Sequence, residues 1–215
     1  MNQATSPFQF VAASYLIRIC PQRAWTLAEL VREMGSVPDA SVFYHTFQTQ
    51  ETHHYTAYSN DFAQWVDSAC KVPALGEALA AMDLREFASV EQLRSFLIRA
   101  VEQHLRSRPQ DADEPAYEPF YFCEALPVVV PLEAQAWNLA ELAAGIATMS
   151  PHTLHHHFIN SRLREPLRVN DFSHWIDTAL GLPQLARAIN QIDFHMNSLG
   201  QVRQDLLHRI QSWKT

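Results

Sequence analysis

Glycine is scarce, five in 215 residues, which leaves few positions for left-handed turns and excludes a fold built on glycine-rich loops or many tight hairpins. The three cysteines, Cys20, Cys70 and Cys123, are odd in number and lack metal or redox spacing, so neither a disulfide framework nor a zinc site is suggested. No lysine- or arginine-rich run exists and the net charge is -7, which removes the electrostatic footprint of a nucleic-acid binder. The apolar stretch from Phe8 to Cys20 is too short to span a bilayer, is interrupted by Arg18, and follows no basic segment with a small-residue cleavage site. A cytoplasmic protein without a membrane span is expected. A glycine-rich phosphate loop, a Gly-x-Ser-x-Gly elbow and a Cys-His nucleophile pattern are also missing.

What is present is a duplication. Asn60-Asp61-Phe62-Ala63-Gln64-Trp65-Val66-Asp67 returns as Asn170-Asp171-Phe172-Ser173-His174-Trp175-Ile176-Asp177. From Pro7 to Leu30 the chain aligns with Pro119 to Leu142 at an offset of 112, with ten identities in 24 positions. From Asn60 to Asp83 it aligns with Asn170 to Asp193 at an offset of 110, again with ten in 24, where roughly one or two would follow from composition. The second copy fills all three cysteine sites with apolar residues: Leu132 for Cys20, Leu180 for Cys70, Val11 for Cys123. The cysteines therefore read as core packing.

Each copy opens with an apolar, β-branched and aromatic segment, Phe8 to Cys20 and Phe120 to Val130, too irregular for a helix. Each is a short strand or apolar coil. Helices follow. Thr26-x-x-Glu29 and Asn138-x-x-Glu141 resemble capping boxes, and Asp39 and Ser150, at an offset of 111, can cap the second helix of each copy. The Asn-Asp-Phe-x-x-Trp stretch starts the third, Pro73 and Pro183 start the fourth, and Ser89-x-x-Gln92 and Ser198-x-x-Gln201 cap the fifth. The expected fold is mainly α: two homologous five-helix repeats, residues 1–106 and 119–215, each with a short extended N-terminal segment, joined by a linker at 107–118 and packed as one pseudo-two-fold body.

Pro119-Phe120-Tyr121-Phe122, the helix start at Asn138 to Leu142, the histidine-rich helix and Asp171-Phe172-x-x-Trp175-Ile176 resemble a family of small bacterial and archaeal proteins known as a domain of unknown function. The chain resembles a tandem of that domain. The resemblance implies a helical fold and a prokaryotic source, and carries over no catalytic residue.

Eleven histidines are above the usual share. At an offset of 111 only one position is histidine in both copies, His45 opposite His156. Each is placed away from the apolar stripe of its helix and lies shortly before Asp61 or Asp171. Two readings stand. An imidazole bonded to a carboxylate at the next helix start would brace two helices, and the same pair is what a general base needs. His152 and His156, four residues apart, have metal-ligand spacing, so a transition metal at the His152 to His157 cluster is conceivable. Thr153 stands where a zinc hydrolase carries glutamate, so Glu165, Asp171 or His174 would have to complete the set. Otherwise the cluster is a solvated or partner-facing surface, and no cofactor is expected. Asp61 and Asp171 also suit helix caps or first-turn acids, and Trp65 and Trp175 suit core anchors. The loop through His53, His54, Tyr55 and Tyr58 differs from its counterpart at Arg162 to Val169, as a specificity loop or a drifting surface loop would.

Together these readings point to a non-catalytic helical interaction, regulatory or accessory-subunit protein with a protein partner. The alternative is a small-molecule or metal-dependent enzyme with a His/Asp site at the seam between the repeats.

Overall fold

The computed structural model describes residues 3–48, 58–164, 169–194 and 197–213. The chain begins with strand β1 (Phe8–Ala24), then α1 (Leu27–Met34), α2 (Asp39–Phe47), α3 (Asp61–Ser68), α4 (Pro73–Ala80) and α5 (Val90–Ser107). The pattern then recurs as β2 (Phe120–Ala136), α6 (Leu139–Thr148), α7, α8 (Asp171–Thr178), α9 (Pro183–Asn190) and α10 (Leu199–Gln211). Helix α7 is α-helical over Pro151–His155, π-helical over His156–Asn160 and α-helical again over Ser161–Arg164.

The mainly α expectation is overturned: β1 and β2 form a two-stranded antiparallel sheet, and the fold is α+β. Each strand is 17 residues long and runs through the prolines, Pro21 and Pro131, at which the expected segments stopped. The reason lies in where the amides point. Val11 gives its N–H to a side chain outside the sheet, and so does Cys123. Amides alternate along a strand, so the odd-numbered ones face away from the partner strand. Pro21, Pro127 and Pro131 are all odd, and their missing donors cost the ladder nothing. Few glycines are needed either, because strands this far apart in sequence need no tight hairpin.

The chain divides into two compact units that cut across these strands, one of Leu16–Leu126 and the other of Met1–Tyr15 with Pro127–Thr215. In the first, Leu27, Leu30 and Met34 of α1, Val42 and Phe43 of α2, Phe62 and Val66 of α3, Leu79 of α4, and Leu93 and Leu97 of α5 are buried together with Phe122 of β2. In the second, Phe8 and Phe10 of β1 join Leu142 and Ile146 of α6, Leu154 and Phe158 of α7, Phe172 and Ile176 of α8, Ile189 of α9 and Leu206 of α10. The aromatic start of each strand thus serves the helices of the other copy. Gly145 permits one such contact: a Cβ there would collide with the Phe10 ring, so a residue that costs a helix about 1 kcal/mol relative to alanine is used for close approach.

Helix starts follow the capping chemistry. Thr26, Asn138, Ser89 and Ser198 each accept a backbone N–H three residues on, and Ser198 with Gln201 forms a full capping box. Ser150 caps α7, but Asp39 does not cap α2: it is the first residue inside that helix and pairs with Arg94 at 2.6 Å. Helix α2 is buried from Ser41 to Phe47 and α7 from Thr153 to Arg162. The central turns of these helices have no solvated face, because a strand start covers the side that sequence periodicity leaves open.

Within the stretch read as linker, 107–118, Ala112, Ala116 and Tyr117 are hydrogen-bonded to their own unit. Ala28 donates its N–H to the Ala112 carbonyl, Ala116 to Trp25 and Tyr117 to Ala69. Among the described residues no helix is long and apolar enough to cross a membrane.

Candidate functional site

The repeated Asn-Asp-Phe-x-x-Trp stretch builds a receptor for a strand. Asn60, rather than Asp61, is the N-cap of α3: its side-chain oxygen accepts the Ala63 N–H at 2.8 Å and its amide donates to the Leu79 carbonyl at 3.0 Å. Asp61 is the first residue inside α3 and bonds His45 Nδ1 at 2.8 Å. The other nitrogen, Nε2, accepts the Cys123 N–H at 2.8 Å. A backbone N–H can only donate, so Nε2 is unprotonated and the ring proton sits on Nδ1 toward the carboxylate. Phe62 stacks on Phe120 at 5.0 Å, and Trp65 Nε1 donates to the Glu118 carbonyl at 2.8 Å.

The second unit repeats the arrangement. Asn170 and Ser173 form a reciprocal capping box. Phe172 stacks on Phe8 at 5.3 Å and Trp175 Nε1 donates to the Ser6 carbonyl at 2.8 Å. The histidine on Asp171, however, is His157. Its Nδ1 lies 2.8 Å from Asp171 Oδ2, and its Nε2 accepts the Val11 N–H at 3.2 Å. The sequence pairing of His45 with His156 is therefore shifted by one residue, and His157 stands where His45 stands. Carrying the offset of 112 from the strands through Asp39, instead of shifting to 111, identifies it.

In both units the Nε2 lone pair, which a general base would offer to a substrate, holds a strand amide. The ring is walled in as well. His45 lies 4.7 Å from Phe120 and 5.6 Å from Phe62, and His157 lies 4.9 Å from Phe8 and 5.5 Å from Phe172. The geometry is that of a clamp joining two helices and a strand.

His156 has a different environment. Its Nδ1 shares a hydrogen bond of 2.8 Å with the Tyr15 hydroxyl, and the ring is buried. The neighbouring His155 is buried with its ring 5.9 Å from Tyr15. Burial, helped by the nearby His152 and His156, pushes its pKa down to about 3. His152 is exposed at the start of α7. Among the described residues no three His, Cys, Asp or Glu side chains are gathered as a metal would require. Glu165, and the loop residues His53 to Ala57, lie outside the described residues.

The depressed His155 pKa has a stability consequence. Above the unfolded-state value of about 6.5 neither state binds the proton; as pH falls below it, the unfolded chain takes up a proton that the folded chain refuses down to about 3. Folding stability is therefore lost as pH falls through this window, by about 2 kcal/mol at pH 5 from this group. At the offset of 112, Phe43 stands in place of His155. His155→Phe is expected to flatten the dependence of unfolding free energy on pH between 5 and 6.5, measured by urea denaturation. An unchanged slope would refute the assignment.

Arg162, expected in a surface loop, is instead buried in the final turn of α7. Its guanidinium lies 4.7 Å from the centre of the Phe194 ring and 5.3 Å from that of Phe158, and burial lowers its pKa to about 10. None of the cysteines is activated as a nucleophile. Burial raises all three thiols, Cys70 to about 12, which favours the unreactive protonated form.

In the Leu16–Leu126 unit an open groove of about 660 Å³ lies over the clamp, lined in part by Tyr44, Asp61, Trp65, Glu118 and Tyr121. Asp61 is half-buried in its lining, and Glu118 and Tyr121 are exposed.

The chain is similar to a solved structure, that of OrfY from Thermoproteus tenax, with 28% sequence identity and a TM-score of 0.86 over 97% of this chain and 96% of that one. No curated protein matches it. A family model matches residues 5–211, so it runs through both strands and both sets of helices, and the chain belongs to that family, a family of unknown function (DUF5752).

Proposed function

We propose that this is a non-catalytic interaction protein, a regulatory or accessory subunit whose partner adds an extended segment to the open edge of β1. The observation that carries this reading is the stretch Leu16–Ile19, where Leu16, Ile17 and Ile19 are 62%, 50% and 65% exposed. Among the described residues the sheet has two strands, and no other strand lies against the far edge of β1. The odd-numbered amides of Ile17 and Ile19 point outward there, which makes the edge a template for one more strand.

The exposed apolar stretch of β2, Val128 to Val130, differs in one respect. Pro127 and Pro131 remove the outward donors on either side of Val129, which blunts that edge. The charge on β1 selects the occupant. Arg18 and Arg23 are exposed, Arg18 while bonded to the Glu124 carboxylate, and a second copy paired antiparallel about Arg18 would set two arginines against each other. A partner strand with apolar residues and an acidic side chain fits instead. The engagement of both nitrogens of His45 and His157 supports bracing over catalysis at these histidines, and with it the non-catalytic reading.

The test is purification of wild type, Ile19→Lys and the control Glu102→Lys from native cells. A stoichiometric partner is expected with wild type and control, and lost with Ile19→Lys, while the melting temperature stays the same because Ile19 is exposed. Equal recovery with all three proteins, or no stoichiometric partner with any, would refute the proposal.

A further inference from the structure

We infer that the groove over the His45–Asp61 pair is a binding site for an organic cation, an alkylammonium or guanidinium group. This goes beyond the β1 edge and does not depend on it. The described walls carry two carboxylates, Asp61 and Glu118, and the aromatic side chains of Tyr44, Trp65, Phe120 and Tyr121, with no lysine or arginine. Aromatic faces are electronegative and attract a cation within about 6 Å of the ring centre. A carboxylate at the rim adds charge complementarity. Among the described lining residues the charged side chains are both carboxylates, which disfavours an anionic ligand.

The parts are held in place before any ligand arrives. Trp65 is fixed by its bond to the Glu118 backbone carbonyl, which holds that stretch of main chain against the indole. Phe120 packs edge-on against Trp65 at 5.7 Å. Asp61 is oriented by His45 at 2.8 Å.

The duplicated copy sharpens the case. The clamp residues are the same in both copies, but at an offset of 112 Ser6 replaces Glu118, Gln9 replaces Tyr121 and His156 replaces Tyr44. If these positions merely supported the clamp, the second copy would have equal need of them. The acid and aromatic rim therefore belongs to a function of one unit.

The cation has two possible sources, a free small molecule or a side chain on a partner protein. The test follows the indole N–H resonance of Trp65, assigned with Trp65→Phe, in the full-length protein. Three probes are titrated: choline, its uncharged isostere 3,3-dimethylbutan-1-ol, and a lysine blocked at both ends. A saturable shift is expected with at least one cation, with the uncharged isostere at least tenfold weaker. Glu118→Gln and Tyr121→Ala should each weaken cation binding at least tenfold with an unchanged melting temperature, since both side chains lie at the exposed rim. Tighter binding of choline would identify a free quaternary ammonium, and tighter binding of blocked lysine a protein side chain; either supports the site. Equal binding of the isostere, no saturable shift with either cation, or full affinity in Glu118→Gln would overturn it.

Discussion

His157→Ala is expected to lower the free energy of unfolding by about 3 to 5 kcal/mol, while His156→Ala, one residue away, costs about 1 to 3 kcal/mol. Both rings are buried, so burial alone does not separate them. What separates them is the set of groups left behind. Removing His157 leaves the Val11 amide and the Asp171 carboxylate each without this partner, and opens a void against Phe8 and Phe172. Asp171 is only half-buried, so most of the cost comes from the buried Val11 amide contact and the aromatic void, with the lost histidine–carboxylate bond adding to it. Removing His156 takes away the hydrogen bond to a tyrosine hydroxyl. Urea denaturation of the two variants decides the order. A larger loss from His156→Ala would show that the clamp has been assigned to the wrong residue. Combining His157→Ala with Asp171→Ala should give a strongly non-additive result, because the two side chains act as one hydrogen-bonded unit.

Phe122→Ala should cost a similar amount, about 3 to 5 kcal/mol for a fully buried aromatic ring, and the place where the loss appears is the more telling measurement. Phe122 belongs by sequence to the second copy, yet its ring lies against His45 and Phe62 of the first. Hydrogen exchange should therefore speed up in α2 and α3, and not in α6, α7 and α8. Phe10→Ala should do the reverse, loosening α7, whose His157 ring lies 6.4 Å from Phe10. Should Phe122→Ala loosen the helices that follow it in sequence, the assignment of strand starts to the opposite units fails.

Much of this architecture is legible in the residues. Periodicity, capping and prolines locate the main helices, because an N-cap serine, threonine or asparagine, or a first-turn proline, and the apolar repeat behind it are local signals; the cap of α2 was misplaced on Asp39, which lies inside the helix. The strands were half legible. β-branched and aromatic residues mark where each begins, but its length depends on which side of the strand each proline nitrogen faces, and a partner strand more than a hundred residues away settles that. His157 was missed for a related reason. Three histidines follow one another on α7, and only the position of the Val11 amide distinguishes the one that braces Asp171. Helix α2 looked amphipathic because its neighbours on the open side come from the other copy.

By itself, then, the sequence determined that the chain is written twice, where its helices start, and that Asn-Asp-Phe-x-x-Trp opens a core helix in each copy. These follow from short-range rules that act within a few residues. Tertiary structure alone decided that the stretch is also a receptor: its aspartate orients a histidine, its tryptophan and phenylalanine seat a strand, and that strand comes from the other copy. Two similarly built helix sets can each accept either strand start as far as local preference goes. Buried amides must find acceptors and buried aromatic faces must find partners, and the exchanged arrangement gives Cys123 and Val11 to His45 and His157.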